Sequence, residues 1–125
     1  MAIVRDNGAV NCVQGQGQGA GPVVGNFTVN AGNSRYLLYI GKSVAAVDVI
    51  TAATYAGVSM SKIASLQIPA VNYISIWWLA SPAVGNNQFS VTISQADAIT
   101  SNAVSFFEVK QQAPGVSVTN TGTSA

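Results

Sequence analysis

Hydrophobic positions along this chain fall in short runs broken every eight to twelve residues or so by Gly, Asn, Ser or Pro, the spacing of a many-stranded antiparallel fold. The clearest run is Phe89, Val91 and Ile93 alternating with Ser90, Thr92 and Ser94, which predicts a strand with one dry and one wet face. Tyr73 to Pro82 (YISIWWLASP) has the highest apolar density and is rich in β-branched and aromatic residues, so it is expected to be a central strand on which the core is built. Arg35 to Gly41 (RYLLYIG) is apolar on consecutive positions, which suits a strand covered on both faces. Further strands are expected at Asn26–Ala31, Asp48–Ala56 and Ala103–Lys110, with a last short one over Val116 and Val118. Gly57 marks a hairpin between Asp48–Ala56 and Val58–Leu66, closed by Pro69. The alanines of Ser43–Ala53 permit a helix, but Val44, Val47, Val49, Ile50 and Thr51 favour a strand. Gln95–Asn102 reads as a polar loop.

The predicted class is all-β, an antiparallel β-sandwich or jelly-roll-like fold. Before it lies a segment of different character. Residues 1–12 mix Ile3, Val4 and Val10 with Arg5, Asp6 and the turn-forming pair Asn7-Gly8, and Val13–Gly25 (VQGQGQGAGPVVG) is glycine-rich. This predicts a flexible N-terminal arm and linker over 1–25, a sandwich domain over 26–119 and a polar tail over 120–125. On an arm, Ile3, Val4, Arg5 and Val10 are candidate partner contacts, and removing residues 1–12 is expected to leave the fold intact; the other reading makes the same residues an edge strand of the domain's own sheet. Gly15-Gln16-Gly17-Gln18-Gly19 is not a phosphate loop, since no Lys-Ser/Thr and no helix follow it.

Composition changes the picture through its missing charge. Among 125 residues, 7 % are charged while 49 % are hydrophobic, against about 25 % charged in an ordinary soluble domain. A surface so neutral fits a subunit packed in an assembly, or else a module coated in Ser, Thr and Asn. The net charge of +1, with five cations scattered singly, leaves no footprint for nucleic acid. No apolar run reaches the length of a membrane helix. MAIVRDNGAV has no basic region leading into an apolar stretch, so, read as a natural start, it predicts synthesis in the cytoplasm without a secretion signal. Cys12 is the single cysteine and is expected to be buried and inert.

The chain has no histidine, and its four acids are widely spaced without a calcium-loop or glycosidase pattern. No catalytic residues, metal site or cofactor are expected, and the chain is read as a non-enzyme. Trp77 and Trp78 are the remaining candidate contacts. Adjacent strand residues face opposite ways, so one belongs in the core and the other faces out, toward a loop, a neighbouring subunit or a sugar ring.

The block from Asn33 to Pro114 resembles β-sandwich modules that recur in bacterial extracellular proteins and bacteriophage structural proteins. The resemblance is carried by Arg35-Tyr36-Leu37-Leu38, Thr54-Tyr55-Ala56-Gly57, Ile76-Trp77-Trp78-Leu79, Val91-Thr92-Ile93-Ser94 and Ala103-Val104-Ser105-Phe106. Together with the arm and the low charge, it is similar to phage capsid decoration, or cement, proteins. The resemblance implies a virion location, the major capsid protein or another virion protein as partner, and a homo-oligomer such as a trimer. The alternative is a carbohydrate- or host-receptor-binding module of a tail fibre or surface.

Overall fold

In a computed structural model the described residues are 2–10, 12–13, 15–68 and 72–115. They form β1 (Val4–Val10), β2 (Gly15–Gln18), β3 (Gly21–Val29), β4 (Tyr36–Ser43), β5 (Ile50–Tyr55), β6 (Val58–Ser59), β7 (Ser61–Ile68), β8 (Asn72–Ala80), β9 (Gly85–Ile93) and β10 (Asp97–Phe107). Two antiparallel sheets pack as a sandwich. One runs β1-β10-β4-β8-β7, with β2 also on β10; the other runs β3-β9-β5-β6.

The core lies between them. Leu37 and Tyr39 of β4, Trp77 of β8 and Ile99 and Ala103 of β10 meet Phe27 and Val29 of β3, Ala53 and Tyr55 of β5, and Phe89, Val91 and Ile93 of β9. Phe89 sits at the centre, with ring centroids 5.0 Å from Tyr39 and 5.5 Å from Tyr55. The alternation expected of Phe89–Ile93 is present, those three residues being buried while Ser90 and Thr92 stay partly exposed. The hairpin at Gly57 is present too: Tyr55 pairs with Val58, and Ala56 and Gly57 both take positive φ, 50° and 78°, the pattern of a primed two-residue turn that matches strand twist.

Several boundaries differ from expectation. The Val58–Leu66 stretch is not one arm of a hairpin, because buried Met60 carries the chain from β6 in one sheet to β7 in the other. Gln95–Asn102 is not wholly a loop. Asp97 to Asn102 is the first half of β10, with Asp97, Ile99 and Ser101 facing inward, its strand character masked by small polar residues. Val44–Val49 is irregular, and the strand begins at Ile50. Nor is β8 the middle of the core: only Ser75 and Trp77 are buried along it, and the density of apolar residues there serves a second face. The last expected strand, over Val116 and Val118, and the tail 120–125 lie outside the described residues.

The largest correction concerns residues 1–25. Val4–Val10 is not a free arm but pairs with Phe107–Asn102 of β10, and Gly15–Gln18 continues along the same edge against Ile99 and Asp97. Asn7 and Gly8 are paired positions within β1, opposite Ser105 and Val104, rather than a turn. A bulge at Asp6 turns its carboxylate to accept from Asn30 N (3.0 Å), Asn30 Nδ2 (2.8 Å) and Ser105 Oγ (2.8 Å), and Asn7 Nδ2 donates to the Thr28 carbonyl. These bonds tie β1 to both sheets. Gly21–Val29 is likewise a single strand along β9, so no domain boundary falls at residue 26.

Between β1 and β2 the chain dips into the sandwich. Cys12 and Val13 are buried there, and the Ser101 hydroxyl accepts from Val13 N (3.0 Å) and donates to the Val13 carbonyl. Burial as expected for Cys12 raises its thiol pKa, an effect larger than the opposing hydrogen bond to Ser101.

Candidate functional site

The outward sides of the two sheets are chemically unlike. On the β3-β9-β5 sheet they carry Asn26, Thr28, Gln88, Ser90, Thr92 and Thr54, a largely polar coat interrupted by exposed Val24 opposite Ser90. On the larger sheet, residues opposite one another share a face, so the register reads off its outer surface directly. Leu38 lies between Trp78 and Val104; Ile40 between Ile76 and Asn102; Ile76 and Ile74 face Ala64 and Leu66; Tyr36 lies between Ala80 and Phe106. Apart from buried Tyr36 and exposed Asn102, these side chains are partly exposed, packed side by side with nothing above them among the described residues.

This face exists because three strands are apolar on positions that a one-sided strand makes polar. In β4 the run Tyr36–Ile40 is continuous, and in β8 Ile74–Leu79 is broken only by inward-facing Ser75. In β10 the phase is inverted, with Ser101 and Ser105 pointing inward and Val104 and Phe106 outward. Inward serine is tolerated because each hydroxyl has a bonded partner, Val13 for Ser101 and Asp6 for Ser105. Taking strands ~4.8 Å apart and ~3.3 Å per residue, the apolar field over β10-β4-β8-β7 measures about 20 Å by 20 Å, roughly 400 Å².

One end of the field is walled. Left-handed Glu108 (φ 60°) turns the chain after β10, Val109 N donates to the Ser34 carbonyl, and the Tyr36 hydroxyl donates to the Gln112 carbonyl at 3.2 Å. The segment Val109–Gly115 thereby encloses, with Ile3, Tyr36, Leu38 and Ile63, an apolar hollow of about 360 Å³. A second hollow, about 340 Å³, lies beside Arg5 between Ile40 and Val104.

The candidate residues divide accordingly. Ile3, 63 % exposed, reaches the rim of the first hollow beside Phe106 and Val109. Arg5 stands on the apolar face opposite Phe106, its guanidinium folded over Gly8. Val4 is exposed at the free edge opposite Phe107, and Val10 pairs with Asn102 at the end of β1, its side chain outside the described residues. As expected, the tryptophans part. Trp77 is buried, donating from Nε1 to Ser75 Oγ (3.0 Å) with Lys62 Nζ 5.0 Å from its ring centroid, and Lys62 also bridges to Asp48 at 2.6 Å. Trp78 lies on the outer face, stacked on Tyr36 at 5.5 Å and 10°.

The residues that sequence reasoning missed are Leu38, Ile40, Ile74, Ile76, Val104 and Phe106. The signal for them was present: two strands that ask for cover on both faces, in a chain that supplies cover for one. Among the described residues no three His, Cys, Asp or Glu side chains gather to hold a metal. No family model, curated protein or solved structure matches the chain.

Proposed function

We propose that this chain is an assembly protein that docks through the outer face of β10-β4-β8-β7, and that its setting is a bacteriophage particle, as a capsid decoration protein. The observation that carries the docking reading is the contrast between the two outer faces, one polar and one apolar, in a chain with so little charge. A field of this size is on the scale of the largest apolar patch of a typical monomer, ~300–600 Å², which is often a functional one. The virion setting rests on the sequence resemblance, the neutral composition and the strand order. Counting β1–β2 as one interrupted strand and setting β7 aside, eight strands divide between the sheets in the manner of a jelly roll, an architecture used by capsid and lectin domains. Binding only to the assembled shell stabilises that shell by mass action.

The sugar-binding alternative is less well served. One ring face of Trp78 is occupied by Tyr36, which leaves a single face of this side chain for a sugar ring. Co-sedimentation with candidate phage shells, run beside a glycan array, tests the reading. The wild-type chain is expected to saturate a shell and ignore sugars, and Ile76→Glu, on the outer face, is expected to abolish shell binding while Val24→Glu, on the polar sheet, does not. Saturable sugar binding, or shell binding indifferent to Ile76→Glu, refutes it.

A further inference from the structure

Resting on the docking reading above, we infer what covers the apolar face: not a second copy of this chain but a larger protein surface bearing an apolar strip edged by carboxylates. Two observations lead there. The first is the sign of the charges around the field. Arg5 stands opposite Phe106, Lys42 is exposed at the far end between Thr100 and Ile74, and Lys110 lines the hollow beside Tyr36 and Leu38. None of the three has an ion-pair partner among the described residues. None of the four acids lines the hollows. Asp6 is bonded to Asn30 and Ser105 on the inner side of β1, Asp48 is paired with Lys62, Asp97 is buried, and Glu108 does not line the hollows. Pairing two copies across this face sets cations against cations. A surface presenting carboxylates at the same rim gains three opposite-sign contacts in place of three like-sign ones.

The second observation is size. Two copies face to face bury about twice 400 Å², roughly 800 Å² in total, the scale of crystal-packing contacts rather than of the ~1,200–2,000 Å² of a stable specific interface. A larger partner overhangs the field. It then also engages exposed Ile3 and the wall at Val109–Gly115, and the hollow of about 360 Å³ between them accepts a protruding apolar side chain. A lipid surface offers no such knob, and a flat field walled at one end is poorly shaped for it.

The experiment uses the full chain and two dye-labelled synthetic peptides with identical apolar residues, one carrying glutamate and the other lysine at every flanking position, followed by fluorescence anisotropy at low ionic strength. The glutamate peptide is expected to bind about tenfold more tightly, a preference of ~1.4 kcal/mol, and to lose most of that preference in molar salt. The triple variant Arg5→Glu, Lys42→Glu, Lys110→Glu, whose changes are all on exposed side chains, is expected to invert it. Equal binding of both peptides that is abolished by Ile76→Glu refutes the carboxylate rim and leaves the docking face standing. The face itself falls if Ile76→Glu alters neither peptide binding nor shell binding. Three further outcomes overturn the inference: a dimer in sedimentation equilibrium at micromolar concentration that Ile76→Glu dissolves, binding to phosphatidylglycerol vesicles without discrimination between the peptides, or a gain of tenfold or more in peptide affinity when the chain is ended at Gly115.

Discussion

Gly25→Ala tests how the first strand is locked to the sandwich. Gly25 lies in β3 opposite Phe89, and a Cβ on it would overlap the Cys12 carbonyl oxygen, 2.9 Å from the carbonyl carbon and 3.2 Å from Val13 Cα. All three obstacles are backbone, so no side-chain tip can swing aside; the Cys12–Val13 plug must shift as a unit. Complete expulsion forfeits the burial of Val13, ~1.5–3 kcal/mol, and the two Ser101 bonds to its backbone, ~1 kcal/mol each net, a ceiling of about 5 kcal/mol. Partial displacement costs what overpacking usually costs, ~1–3 kcal/mol, less the ~0.5–1 kcal/mol that alanine recovers over glycine in a strand. A loss of about 1 kcal/mol, and up to ~2.5 kcal/mol, is therefore expected in urea unfolding followed by tryptophan fluorescence. Gly19→Ala, with nothing within 4 Å of the added carbon, is the control and should be near neutral. If the two variants agree within ~0.5 kcal/mol, the close approach of the plug does not restrain this position and the account of β1 anchoring is wrong.

Three other perturbations probe the interior. Tyr55→Phe removes a buried hydroxyl placed 3.0 Å from both the Phe27 and Gly85 carbonyls, and should cost ~1–3 kcal/mol in the same urea assay; a neutral result would mean that neither carbonyl depends on it. Burial raises the pKa of Cys12 and of the Tyr36 and Tyr39 hydroxyls above their ordinary values of 9.0 and 10.0, so the unfolded chain releases these protons first. Stability should be flat from neutral pH to about pH 9 and fall above it, with Cys12 inert to a thiol reagent until the protein unfolds; rapid labelling of native protein would contradict its burial. Lys62→Ala removes both the ion pair to Asp48 and the cation over Trp77. Because Lys62 is 33 % exposed the loss should stay near ~1 kcal/mol, read together with a change in native tryptophan emission that a simple surface charge would not produce.

How far the sequence was legible depended on whether the deciding interaction was local. The Ala56-Gly57 turn and the Phe89–Ile93 alternation depend on neighbours in sequence, and both read correctly. Gly15–Gln18 looked like part of a linker because its pairing partner, the first half of β10, lies far along the chain and is itself disguised by Ser, Thr and Asp. Once that strand is in place, the same stretch is an edge of the larger sheet. Tyr73–Pro82 was misjudged differently: apolar density counts both faces of a strand at once, so it reported a busy strand without separating core-facing Trp77 from outward Ile74, Ile76 and Trp78. The face thus lay in the sequence as an excess, visible only when the register assigned half of it to the outside.

The pairing of β1 with β10 also bears on how the chain reaches its fold. Asp6 and Ser105, joined by a hydrogen bond, stand 99 positions apart, and β4 finds its place only between β8 and β10. A ribosome delivers the first strand long before the last, so the larger sheet cannot close while synthesis continues. Its apolar strands must wait, and with contacts this distant in sequence, folding in milliseconds to seconds rather than microseconds is expected. Low charge and a long wait together favour association before folding is complete, and the edge-blunting bulge at Asp6 gives no protection in that interval, because it exists only once β1 has joined β10.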